Sequence, residues 1–155
     1  WWTYRQLSMR LFRIGELEYE LKEYEGEKVI GLHVPSDADL SKEAVDVSPE
    51  QAGVFFRTYY GSHPYKKYTC GSWLLSPVLK PLLSKKSNIL AFQERFHIIR
   101  EDKENREYIE WLFQVPADTK AEDLPAGTEL QKKVRELLLD GGTVGSAFGV
   151  MDVYR

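Results

Sequence analysis

The chain has 155 residues, 43% of them hydrophobic, enough for one domain around one core and too few for two comfortable ones. Lysine and arginine number 21 against 24 aspartates and glutamates, a formal charge of −3, so no basic excess is available to neutralise phosphates and nucleic acid is not expected as a partner. A single cysteine cannot form an intrachain disulfide and no apolar run approaches the ~20 residues of a membrane span, so a reducing, cytoplasmic setting without membrane contact is expected.

The chain opens Trp1-Trp2-Thr3-Tyr4, with neither the initiating Met nor the charge and apolar regions of a signal peptide. It reads as a piece of a longer protein, its leading aromatics awaiting cover from a preceding domain. Tyr4, Leu7, Leu11 and Ile14 fall three and four apart, which predicts one helix over residues 4–14, ended by Gly15. From Glu16 the period becomes two. Leu17, Tyr19 and Leu21 alternate with Glu18, Glu20 and Lys22, the pattern of a strand with one buried face and one charged, wet face. After a turn at Glu25-Gly26-Glu27, residues 29–34 are apolar on both faces except at Gly31 and His33, as expected of an inner strand, and Pro35 stops it.

Residues 36–47 are polar and acidic. Ser48-Pro49-Glu50-Gln51 then has the residues of a capping box with Pro at the first helical position, and Ala52, Phe55, Phe56 and Tyr59 form the core face of the predicted helix. A strand is predicted over residues 67–74, where Cys70-Gly71-Ser72 implies a close neighbour, since small side chains bury little and Gly weakens a ladder. Pro77 and Pro81 allow only short helical turns, and Ser87 is placed to cap a second short helix. Residues 96–100 and 108–115 read as a hairpin, with Ile109, Trp111, Phe113 and Val115 alternating onto one face. Thr128-Glu129-Leu130-Gln131 is another capping box, opening a helix with the stripe Leu130, Val134, Leu137 and Leu138 and ended by Gly141-Gly142. Residues 144–154 predict a last strand, in which Gly145 and Gly149 mark bulges or close approaches. The sum is a mixed α/β domain of about six strands and five helices.

Five segments together, Arg13-Ile14-Gly15-Glu16-Leu17, Leu32-His33-Val34-Pro35, Cys70-Gly71-Ser72-Trp73-Leu74-Leu75, Ser87-Asn88-Ile89 and Leu124-Pro125-Ala126-Gly127-Thr128-Glu129-Leu130-Gln131, resemble the GNAT-like C-terminal domain of bacterial acyltransferase-domain-containing proteins. The resemblance runs nearly end to end. It implies a fold akin to the Gcn5-related N-acetyltransferases, a smaller helical N-terminal domain elsewhere in the full protein as a partner, and transfer of an acyl group from acetyl-CoA or another acyl-CoA to an amine substrate. Within that reaction the resemblance assigns the amine's proton to His33 or a carboxylate, and protonation of the departing thiolate to a tyrosine such as Tyr68 or Tyr154. The wider superfamily holds pyrophosphate on a glycine-rich loop before a helix. Residues 35–48 contain no glycine here and carry Asp37, Asp39, Glu43 and Asp46.

Read from the residues alone, His33 is either a general base or a hydrogen-bonded core histidine. Cys70 reads as a small buried hydrophobe. The best anion site is Lys85-Lys86-Ser87-Asn88, where two cations and a hydroxyl stand before a helix whose first amides lack partners; the alternative is an ordinary capped helix with solvated lysines. No metal-ligand spacing links the three histidines and the cysteine, so no metal site is expected. Two functions follow: an acyl-CoA-dependent N-acyltransferase, or a non-catalytic ligand-binding or scaffolding half that docks onto the missing domain.

Overall fold

Six strands form one sheet in the spatial order Leu11–Ile14 (β1), Leu17–Tyr24 (β2), Glu27–His33 (β3), Lys67–Ser72 (β4), Ser146–Asp152 (β6) and His97–Asp102 (β5). The computed structural model describes residues 2–153, without the side chains of Trp2 and Arg5. In chain order the elements are α1 (Trp2–Leu7), β1 (Leu11–Ile14), β2 (Leu17–Tyr24), β3 (Glu27–His33), α2 (Lys42–Tyr59), β4 (Lys67–Ser72), α3 (Asn88–Gln93), β5 (His97–Asp102), α4 (Glu107–Phe113), α5 (Glu129–Leu139) and β6 (Ser146–Asp152). Short 3-10 turns at Trp73–Leu75 and Pro77–Leu82 carry the chain from β4 towards α3.

All neighbouring strands are antiparallel except β3 and β4, which α2 connects as a crossover. One face of the sheet is closed by α2 and α3 over Leu17, Tyr19, Ile30, Leu32, Tyr68, Cys70, Ala147 and Met151, joined by Val45, Phe56, Phe92 and Phe96. A second core, of Leu79, Tyr108, Ile109, Phe113, Leu124, Val134 and Val144, fixes α4, α5 and the 3-10 turns. The Thr128 capping box forms on both sides, and Val134 of the predicted stripe is fully buried.

Three elements differ from the sequence reading. Of the predicted first helix only residues 4–7 are helical, within α1, and Leu11–Ile14 is a strand paired with β2 through the two-residue turn Gly15-Glu16. Gly15 has a φ of +61°, so the glycine serves a tight hairpin where the sequence suggested a helix end. Phe12 and Ile14 face α2, which gives the segment a core side only as a strand. The helix expected from Ser48 starts instead at Lys42 behind Ser41, whose hydroxyl accepts the Ala44 amide, and Pro49 lies within it. Ser48 is fully buried and donates to the Ile14 carbonyl at 2.6 Å, with the Tyr19 hydroxyl 2.7 Å away. Residues 108–115 are not a strand: Tyr108, Ile109, Leu112 and Phe113 form a helical stripe on α4, leaving Trp111 half exposed, and β5 pairs with β6. The bulge falls on β5, between Ile98 and Arg100, opposite Gly149 and Phe148, while Gly145 and Gly149 mark the expected close approaches, to the Asp102 and His97 carbonyls.

Candidate functional site

Parallel β3 and β4 share only two register pairs, Ile30 with Tyr68 and Gly31 with Thr69. Beyond these the carboxyl ends, Leu32-His33 and Cys70-Gly71-Ser72, part, while β4 stays paired with β6 through Ser72. A crevice outside the carboxyl ends of parallel strands is where open α/β sheets receive ligands.

The face turned away from α2 brings Glu18, Glu20 and Lys22 of β2 beside Gly31 and His33 of β3, and Thr69 and Gly71 of β4 beside Phe148 of β6. His33 stands directly opposite Glu18 and diagonally beside Glu20. Its Nε2 lies 2.9 Å from Glu20 Oε2, and Lys22 Nζ approaches the same oxygen at 3.7 Å. An ionised carboxylate only accepts, which places the hydrogen of this contact on Nε2. Sequence reading made the Glu18–Lys22 face wet, but both glutamates are only 7% exposed. Alternation identifies a face without telling what covers it. Glu20 was missed for that reason, and the signal available was a carboxylate repeated at period two on the strand next to a lone inner histidine.

Between β4, β6, β5 and the start of α4 lies a cleft of about 210 Å³ bordered by Gly71, Ser72, Arg100, Asp102 and Phe148. The Arg100 guanidinium stacks 4.5 Å from the Phe148 ring centre, and Tyr24 contacts the same ring at 5.1 Å, a contact that crosses two intervening strands.

The other sequence candidates lie elsewhere. Tyr68 faces α2, on the opposite side of the sheet from His33; its hydroxyl is 3.2 Å from that of Tyr65 and donates to the Pro49 carbonyl, and burial raises its pKa well above the ordinary value. Tyr154 lies outside the described residues. Lys85 and Lys86 are exposed in the loop before α3, Ser87 gives α3 no side-chain cap, and α3 packs on the α2 side. The connection from β3 to α2 is tied by its own carboxylates. Arg13 donates to both oxygens of Asp37 at 2.8 and 3.0 Å and holds that carboxyl below its usual range, while Asp39 accepts from the Ser41 amide and hydroxyl. His63 donates to the Val29 carbonyl, and His97 is exposed on β5. Among the described residues, no three His, Cys, Asp or Glu side chains gather as a metal site would need.

Residues 11–151 match the family described as the GNAT-like C-terminal domain. The fold is similar to the crystal structure of an acyltransferase in complex with decanoyl-CoA, at 26% identity and a TM-score of 0.92, over 99% of this chain and 49% of the other. It is likewise similar to acyltransferase structures holding decanoyl-CoA and teicoplanin, or CoA and 10C-teicoplanin, each at 26% identity and a TM-score of 0.90 over 99% of this chain and 50% of the other. The chain thus spans about half the length of these solved relatives. No curated protein matches it.

Proposed function

The chain belongs to the GNAT-like C-terminal domain family, and we propose from that membership that it forms part of an acyl-CoA-dependent N-acyltransferase with His33 as its general base. The observation that carries this reading is the Glu20–His33 contact at the mouth between β3 and β4, supported by the acyl-CoA held in the solved relatives. The acceptor nitrogen attacks the thioester carbonyl carbon, forming the C–N bond as the C–S bond breaks. CoA leaves as a thiolate, and the proton lost by the amine passes to His33. An ordinary thiol has a pKa of about 8.5, so the thiolate departs without a strong acid behind it. Glu20 orients the imidazole and favours its protonated form as that proton arrives.

Lys85, Lys86 and the amides after Ser87 are the group we assign to the CoA phosphates, because the β3–α2 connection presents carboxylates instead. The exposed Tyr4, Leu7 and Met9 are where we place contact with the rest of the protein. Among the described residues no helix is long and apolar enough to cross a membrane, and a cytoplasmic location, where Cys70 stays reduced, accords with this chemistry. His33→Ala, tested in the intact protein, should lower kcat by about 10²- to 10⁴-fold while leaving acyl-CoA affinity unchanged. Transfer at the original rate would remove His33 from the reaction.

The acid-filled connection favours a second reading, a non-catalytic half that docks onto the rest of the protein. Titration with decanoyl-CoA separates the two: if acyl-CoA binding by the intact protein survives every substitution in this domain, the domain is a docking half.

A further inference from the structure

Glu20 by itself would make a poor partner for a base, because a carboxylate beside an imidazole stabilises the imidazolium and so withholds the lone pair that must take a proton. The structure supplies a counterweight. Lys22 leaves β2 two residues beyond Glu20, runs across β3 and brings its ammonium 3.7 Å from Glu20 Oε2. Gly31 makes that path open: a Cβ there would stand 2.5 Å from Lys22 Cδ and 3.4 Å from Cγ.

We propose that Lys22, laid in the channel left by Gly31, is a positioning residue that shares Glu20 with His33 and keeps the imidazole available as a base. This rests on the reading of His33 as the proton acceptor. Other charged groups on the same face near His33 include Glu18, opposite it on β2, and Arg13, which faces Glu18 from β1 and is engaged with Asp37.

The test follows the His33 imidazole by NMR titration in the intact protein, beside the pH profile of kcat/KM. Glu20→Gln should lower the midpoint. Lys22→Met should raise it by roughly half a pH unit, since one nearby cation is removed. Gly31→Ala, which displaces a flexible side chain and no backbone, should raise it in the same direction with Lys22 still present. The acidic limb of kcat/KM should move with each midpoint. A merely structural role would not produce shifts of opposite sign at Glu20 and Lys22. An unmoved or lowered midpoint in Lys22→Met, or a lowered one in Gly31→Ala, overturns the proposal. Correct midpoints together with undiminished transfer in His33→Ala would instead refute the role of His33 as base and leave the electrostatic arrangement standing.

Discussion

Cys70 shows how position in the sheet sets the chemistry of a single side chain. Its thiol lies on the α2 side of β4, 2% exposed, and burial pushes its pKa from 9.0 up to about 12, with the Lys22 charge pulling weakly the other way. At neutral pH the group is an uncharged thiol and a poor nucleophile. Native protein should therefore react with iodoacetamide far more slowly than a free thiol, and labelling at the free-thiol rate would contradict the packing. The sign for stability follows from the same shift. A group whose folded pKa exceeds its unfolded value contributes fully below the unfolded value, and that contribution fades as pH rises from about 9 towards 12. Cys70→Ala should accordingly show a shallower alkaline loss of stability than the parent protein, measured by urea denaturation between pH 8 and 11.

At the scale of elements, α5 separates a cap from a core contact. Thr128→Ala removes the hydroxyl that accepts the Gln131 amide and should cost about 1 kcal/mol. Val134→Ala should cost about 2 kcal/mol, because two methyl groups leave a fully buried site and the cavity adds to the lost transfer energy. Chemical denaturation of the two variants gives the ranking directly. This helix was legible from sequence because its local signals agree with its tertiary use. In α4 they do not: Ile109, Trp111, Phe113 and Val115 satisfy a period of two as well as Tyr108, Ile109, Leu112 and Phe113 satisfy 3.6, and only the second core decides between them. The same competition hid β1. It also hid the start of α2, where Ser48 and Pro49 look like a helix entrance but Ser48 spends its hydroxyl on Ile14 and Tyr19.

At the scale of the molecule, the site joins features of different legibility. His33 stood out in the sequence as a polar residue in an otherwise apolar inner strand, and the mixed α/β class followed from the order of elements. The parting of β3 and β4 after two register pairs is a tertiary fact, and so is the burial of Glu18 and Glu20. No local pattern encodes either. The phosphate end of the proposed ligand can be argued from charge placed around the whole fold. The β3–α2 connection offers carboxylates already engaged with Arg13 and Ser41, whereas Lys85 and Lys86 are exposed and make no ion pair among the described residues. Reversing both, Lys85→Glu with Lys86→Glu, should weaken decanoyl-CoA binding to the intact protein by about tenfold at low salt and less at high salt, since exposed charges are screened. Circular dichroism should be unchanged, because neither side chain packs in a core. Should affinity stay the same in that variant and rise in Asp39→Asn, the phosphates lie instead at the start of α2, as in the wider superfamily, and the acidic connection is the feature that has to move to admit them.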